Sequence, residues 1–263
     1  MELIYDIEEL KTFYERIMLP LDLYEVNFLS LSCRNKYLTD EERKEYALGR
    51  TEMIGRIIIK EHDFNKFYKI IKEYEVLLDT SLVTKNGNLL PPKAVCVYIN
   101  INPSNTIRAL NMFQHQINDY YLEISRTQDK KGLSNRLNKC DKHLMTCYQK
   151  ARGYKHWLDI DIDLQNGKDN YNKEVLFTSF DVLLENKIEF VTLETKSGYH
   201  VLIKRKSLKD NKYNPYDYIK VLKENIIDWK EIDINKNEMV CVSGTYQAEF
   251  PVKIIFDSKE GFK

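Results

Sequence analysis

Apolar and polar positions alternate in two periods along this chain, and the changes of period mark out its elements. Helical spacing of apolar residues runs through 6–18 and 64–78, whereas 24–31 alternates as a strand does. Turn chemistry at Lys85-Asn86-Gly87-Asn88, followed by Pro91-Pro92, marks the best internal boundary. It divides an N-terminal mixed α/β region, 1–92, from a larger unit, 93–263. That unit begins with an apolar strand over 94–101, ending at Asn102-Pro103. Ser104 or Asn105 then caps a long helix through Ile107, Leu110, Phe113 and Ile117. A second helix is predicted over 133–152, ended by Gly153.

The next stretch, Trp157-Leu158-Asp159-Ile160-Asp161-Ile162-Asp163, switches to a period of two. A strand places its three aspartates on one face and Leu158, Ile160 and Ile162 on the other. Alternate Cα atoms on a strand lie roughly 7 Å apart, so neighbouring carboxylates can converge on metal ions about 4 Å apart. Without a cation such a row repels itself. A helix over 173–185, strands over 188–192 and 199–204 joined at Ser197-Gly198, a helix over 216–227 and strands over 239–242 and 251–256 complete the pattern. This order predicts an α+β fold: a sheet with helices packed on one side, resembling an RRM-like palm.

Composition bounds the picture. With 43% hydrophobic residues the 263-residue chain reads as an ordinary folded protein. No apolar run approaches membrane-spanning length and the N-terminus has no secretory pattern, so a soluble protein is expected, cytoplasmic or at a nucleoid or viral replication site, and not secreted. Five scattered cysteines read as reduced thiols. Cys140, His143 and Cys147 share a helical face, with His156 the nearest fourth ligand, but such residues are also ordinary on a buried helix, and structural zinc is not expected.

Forty basic and forty acidic side chains leave no net charge, so any polyanion must be held locally. Lys130, Lys131, Arg136, Lys139, Lys142, Lys150, Arg152 and Lys155 cluster before the acidic strand, and Lys204, Arg205, Lys206, Lys209 and Lys212 follow the 199–204 strand. Flanking an acidic site, these runs suit a phosphate backbone. At Lys196-Ser197-Gly198-Tyr199-His200 a glycine at a tight turn admits an anion to backbone N–H groups, and Lys196, Ser197 and His200 add donors.

Asp159 and Asp161, then Ser197, Gly198 and His200, then Ile232-Asp233, resemble in their order the three motifs of archaeo-eukaryotic primases, the primase–polymerase superfamily. Val242-Ser243-Gly244-Thr245-Tyr246 and Asn102-Pro103 resemble further segments of that family, over roughly residues 94–256. Ser243 stands where a proline is common and Ser104 where some relatives have an arginine. Asp228, Glu231 and Glu238 compete with Asp233 for the third carboxylate. An inserted zinc module between the first two motifs is absent, which favours the smaller, phage- or plasmid-like members.

The resemblance implies a template-dependent nucleotidyltransferase. Asp159, Asp161 and Asp233 would hold two Mg²⁺ or Mn²⁺ ions, Lys196, Ser197, Gly198 and His200 would bind the nucleoside triphosphate, and Lys139, Lys142, Lys150, Arg152 and Lys155 would track a single-stranded template. In this reading Asp163 either supports the metal ligands without touching the metal or is solvated at the strand end. A helicase or another replication protein is the protein partner that such a role implies. The rivals are a metal-dependent nuclease, for which Lys196 or Lys204 would serve, and a catalytically inactive nucleic-acid-binding module. No His-x-His pair, Lys-x-Asp-Gly signature or Gly-rich kinase loop points elsewhere.

Overall fold

The structure, a computed structural model, describes all residues but 84–86, 128–131, 133–138, 166–167, 236–237 and 263, together with the side chains of Ile124 and Thr127. Lys85 and Asn86 of the predicted turn, and Lys130, Lys131 and Arg136 of the basic run, lie outside the described residues. So do residues 133–138, the start of the predicted 133–152 helix.

Among the described residues the chain forms two antiparallel sheets and eight α-helices. The helices are α1 (Ile7–Ile17), α2 (Asp40–Tyr46), α3 (Phe64–Thr80), α4 (Thr106–Thr127), α5 (Cys140–Lys150), α6 (Asn170–Glu185), α7 (Arg205–Asp210) and α8 (Pro215–Asn225). A seven-stranded sheet is built from β1 (Glu25–Cys33), β2 (Glu52–Ile59), β3 (Val95–Asn100), β4 (Ser104–Asn105), β9 (Met239–Cys241), β10 (Tyr246–Gln247) and β11 (Phe250–Pro251). Its main order is β11-β10-β3-β1-β2, so it draws on both sides of the turn at 87–92. The six-stranded sheet contains β5 (Trp157–Leu164), β6 (Phe190–Glu194), β7 (Gly198–Lys204), β8 (Trp229–Ile234), β12 (Lys253–Asp257) and β13 (Gly261–Phe262), in the order β13-β12-β6-β7-β5-β8.

Period-two chemistry explains how the second sheet is buried. Ile160, Ile162, Val201 and Ile203 share a core with Leu176, Phe180 and Leu183 of α6 and Tyr218 and Leu222 of α8. The helices therefore lie on one face of this sheet, and the aspartates of β5 point to the other. That other face also carries Trp157, Leu193 and Leu202, which join the core around α1 and α3. Capping fixes where those two helices begin: Asp6 accepts from the amides of Glu8 and Glu9, and Asp63 from those of Asn65 and Lys66.

β1 is buried at all nine residues because it is covered on both sides. Leu29 and Leu31 face the α1/α3 core, while Val26 and Phe28 meet Ala109 of α4 and Tyr148 of α5. The helix predicted over 133–152 is seen as α5 over Cys140–Lys150. The strand β8 and the eight-residue β2 have no counterpart in the sequence reading. No helix among the described residues is long and apolar enough to cross a membrane.

Candidate active site

The acidic strand β5 is clamped at its start and pressed at its end. At the start, buried Asn102 accepts from the amides of His156 and Trp157 at 2.8 and 2.9 Å and donates to the Trp157 carbonyl at 2.9 Å. The Asn102-Pro103 pair thus fixes where β5 begins. At the far end Gly198 stands opposite Asp163, where an added Cβ would come within 1.8 Å of the Ile162 carbonyl oxygen. Only glycine lets β7 approach this closely.

Register then sets the chemistry. β5 lies between β7 and β8, and Asp161 pairs with His200 on one side and Asp233 on the other. Directly paired residues share a face of the sheet with Cβ atoms about 5 Å apart, so the three form a row. A second acidic pair, Asp163 opposite Glu231, follows it. Of the competing acids, Glu238 is buried and ion-paired to Arg152 and Lys155 at 2.8 and 2.5 Å, and Asp228 lies in the turn before β8.

Asp159 and Asp161 occupy the same face but different surroundings. The Asp159 side chain is fully buried, its two oxygens shared between the His200 Nδ1 at 3.0 and 3.1 Å and the Asn235 amide at 2.7 Å. Asp161 is 39% exposed and lines a cavity, with Oδ1 3.7 Å from His200 Nε2. Burial, with Asp159 and Asp163 nearby, raises the Asp161 carboxyl above its usual range against the pull of His200. Burial alone would lower His200, but Asp159 and Asp161 outweigh it and push the imidazole up to about 9. His200 is therefore a cation at neutral pH, locked through Nδ1 and presenting Nε2 on the cavity side.

Ser197 donates to Asp163 at 3.0 Å and lies 3.3 Å from the Lys36 ammonium. Lys196 turns elsewhere: its amide donates to Gln247 at 2.7 Å and its ammonium to the Ala248 carbonyl at 2.6 Å. Lys36, from just after β1, stands where the sequence reading set Lys196. Burial and Arg34 lower its pKa, opposed by Asp163 and Asp161.

Asp161, Asp163, Ser197 and His200 line one wall of a cavity of about 480 Å³, a volume suited to a small molecule. The seven-stranded sheet lines the other wall, with Arg34, Arg56 and Tyr98, and Arg152 follows α5. Arg34, Lys36 and Arg56 escape sequence reading because nothing local ties them to β5. The available signal was Ser30 and Ser32 alternating with leucines in β1, and one arginine inside the apolar run of β2.

Lys139, Lys142 and Lys150 are exposed along α5. Arg152 and Lys155 are engaged with Glu238. In the second basic group, Lys204 lies over the Trp157 ring at 5.1 Å and Lys209 over Tyr154 at 5.8 Å. His143 Nδ1 is 3.3 Å from both Gln116 and Tyr120, and Cys147 donates to Gln116, so these residues join α5 to α4. Among the described residues, no three His, Cys, Asp or Glu side chains are gathered closely enough to hold a metal ion. Asp161 and Asp233 nonetheless supply hard oxygen donors on paired positions of adjacent strands, with a like-charge pair beside them. Such donors fit a divalent cation. No family model, curated protein or solved structure matches the chain.

Proposed function

We propose that the chain is a template-dependent nucleotidyltransferase of primase–polymerase type, acting at the row His200–Asp161–Asp233. That row, set by strand register with His200 and Asp161 at the wall of a nucleotide-sized cavity, is the observation that carries the reading. The connection order β5-α6-β6-β7-α8-β8 with spatial order β6-β7-β5-β8 supports an RRM-like palm beneath it.

Asp161 and Asp233 hold Mg²⁺ or Mn²⁺, and Asp159 joins them only by releasing His200 or Asn235. Bound divalent ions supply activation of the attacking 3′-hydroxyl and stabilisation of the leaving pyrophosphate. His200, kept charged and oriented by Asp159, donates from Nε2 to a phosphate oxygen of the incoming nucleoside triphosphate. Ser197 and Lys36 add donors at the Asp163 end. The exposed lysines of α5 follow a single-stranded template. The lysines a nuclease would use are held away from the carboxylates, Lys196 on Ala248 and Lys204 over Trp157.

Labelled-nucleotide incorporation on a single-stranded template with Mg²⁺ or Mn²⁺, with and without primer, tests the reading. Product from the wild type that vanishes in Asp161→Asn supports it, and primer independence makes the enzyme a primase. Strands that shorten without nucleoside triphosphates would replace it with a nuclease. Absence of both activities in a folded protein would leave a binding module.

A further inference from the structure

The seven-stranded sheet turns an unusually polar face to the cavity. Arg56 on β2 is paired with Ser30 on β1, and Ser30 with Tyr98 on β3, so the three form a cross-strand row. Two guanidinium groups converge on it. Arg56 donates from Nε to the Ser30 hydroxyl at 3.1 Å, and Arg34 donates from Nη1 to the Tyr98 hydroxyl at 3.0 Å. With its oxygen turned toward Arg56, the Gln149 amide lies 2.9 Å from both terminal nitrogens. The Arg34 Nε is buried without a hydrogen-bond partner. Among the described residues neither arginine makes an ion pair, although carboxylates of the same cavity stand on the opposite wall.

A cation taken out of water among neutral partners is costly, and a half-satisfied guanidinium more so. Arginine presents a planar fork that matches phosphate oxygens two at a time. We propose that Arg34 and Arg56 form a phosphate-binding wall, independent of any divalent ion, for the polyphosphate chain of a nucleoside triphosphate. The choice of a nucleotide as the ligand rests on the nucleotidyltransferase reading. A cavity of about 480 Å³ between two sheets suits one nucleotide.

The test is binding of tripolyphosphate, a nucleoside triphosphate and a single-stranded oligonucleotide in EDTA, read by calorimetry and by the thermal shift of the wild type. Both polyphosphates are expected to bind and stabilise the wild type. Arg34→Gln and Arg56→Gln should each weaken binding at least about tenfold. Arg56→Lys should recover part of the loss, and Asp161→Asn should weaken binding in neither case. A wild type that neither binds nor is stabilised by the polyphosphates overturns the proposal, as does undiminished binding in folded arginine variants. An oligonucleotide bound through Arg34 and Arg56 in place of tripolyphosphate assigns the wall to a strand and overturns it too. Intact polyphosphate binding without incorporation would sink only the polymerase chemistry; incorporation at the wild-type rate by the arginine variants would sink only the wall.

Discussion

The two walls of the cavity carry opposite charges and are built by opposite means. The six-stranded sheet gathers its acids by strand register: Asp161 faces Asp233 and Asp163 faces Glu231. The seven-stranded sheet brings in its cations individually, Arg34 from just beyond the end of β1 and Arg56 from within β2. One wall suits a metal ion and the other a phosphate chain. Each is destabilising as it stands, since like charges oppose one another on the first and partly buried cations lack counter-ions on the second. Groups held in unfavourable surroundings by a rigid frame are what a binding site needs and what a purely structural sheet would avoid.

The largest expected effect comes from breaking the acidic wall. Asp161→Asn or Asp233→Asn should lower nucleotide incorporation about a thousandfold, the several kcal/mol that metal-assisted chemistry contributes. Single-turnover incorporation measures it, and a loss under tenfold would move the chemistry elsewhere. Gly198→Ala attacks the frame instead. A Cβ 1.8 Å from the Ile162 carbonyl oxygen forces β7 off β5, and calorimetry should find about 3 kcal/mol of lost stability.

The histidine of the acidic wall makes a pH prediction. Its folded pKa, about 9, lies above the ordinary value of 6.5. The stability it contributes is therefore fully present below about pH 6.5 and is lost as pH rises through about 9. Melting curves of wild type and His200→Gln should converge over that window. If the exposed lysines at α5 hold a strand, replacing Lys139, Lys142 and Lys150 by alanine should reduce the slope of log K against log salt for single-stranded DNA by about 2, from three phosphate contacts at about 0.7 each. The smallest effect has the opposite sign to the rest. Because burial and its neighbours raise the Asp161 carboxyl, Asp161→Asn should raise the melting temperature by about 2–4 °C, roughly 1 kcal/mol for a partly exposed group. A lower melting temperature would mean that Asp161 has a structural role.

What the sequence disclosed follows from the range of the interactions. The acidic strand and its helix-facing isoleucines were legible because period-two alternation is local, and β5 spans Trp157–Leu164 as that pattern requires. The helices over 6–18 and 64–78 were legible for the same reason, with Asp6 and Asp63 as caps. Asp233 was singled out by the order of motifs alone; its position opposite Asp161 depends on a strand pairing across some seventy residues that no local pattern encodes. Asp159 and Asp161 look equivalent in sequence. Only His200 and Asn235, brought in by other elements, turn Asp159 into the residue that orients the histidine. The arginine wall was invisible, since no local pattern in residues 1–92 encodes that Arg34 and Arg56 face the acidic strand across a cavity.

The most direct measurement is a crystal structure with Mn²⁺ and a non-hydrolysable nucleoside triphosphate, with manganese located by its anomalous signal. The account predicts manganese between Asp161 and Asp233 and phosphate oxygens against Arg34 and Arg56. A nucleotide bound away from the cavity, or manganese absent from that carboxylate pair while the nucleotide is present, would contradict it.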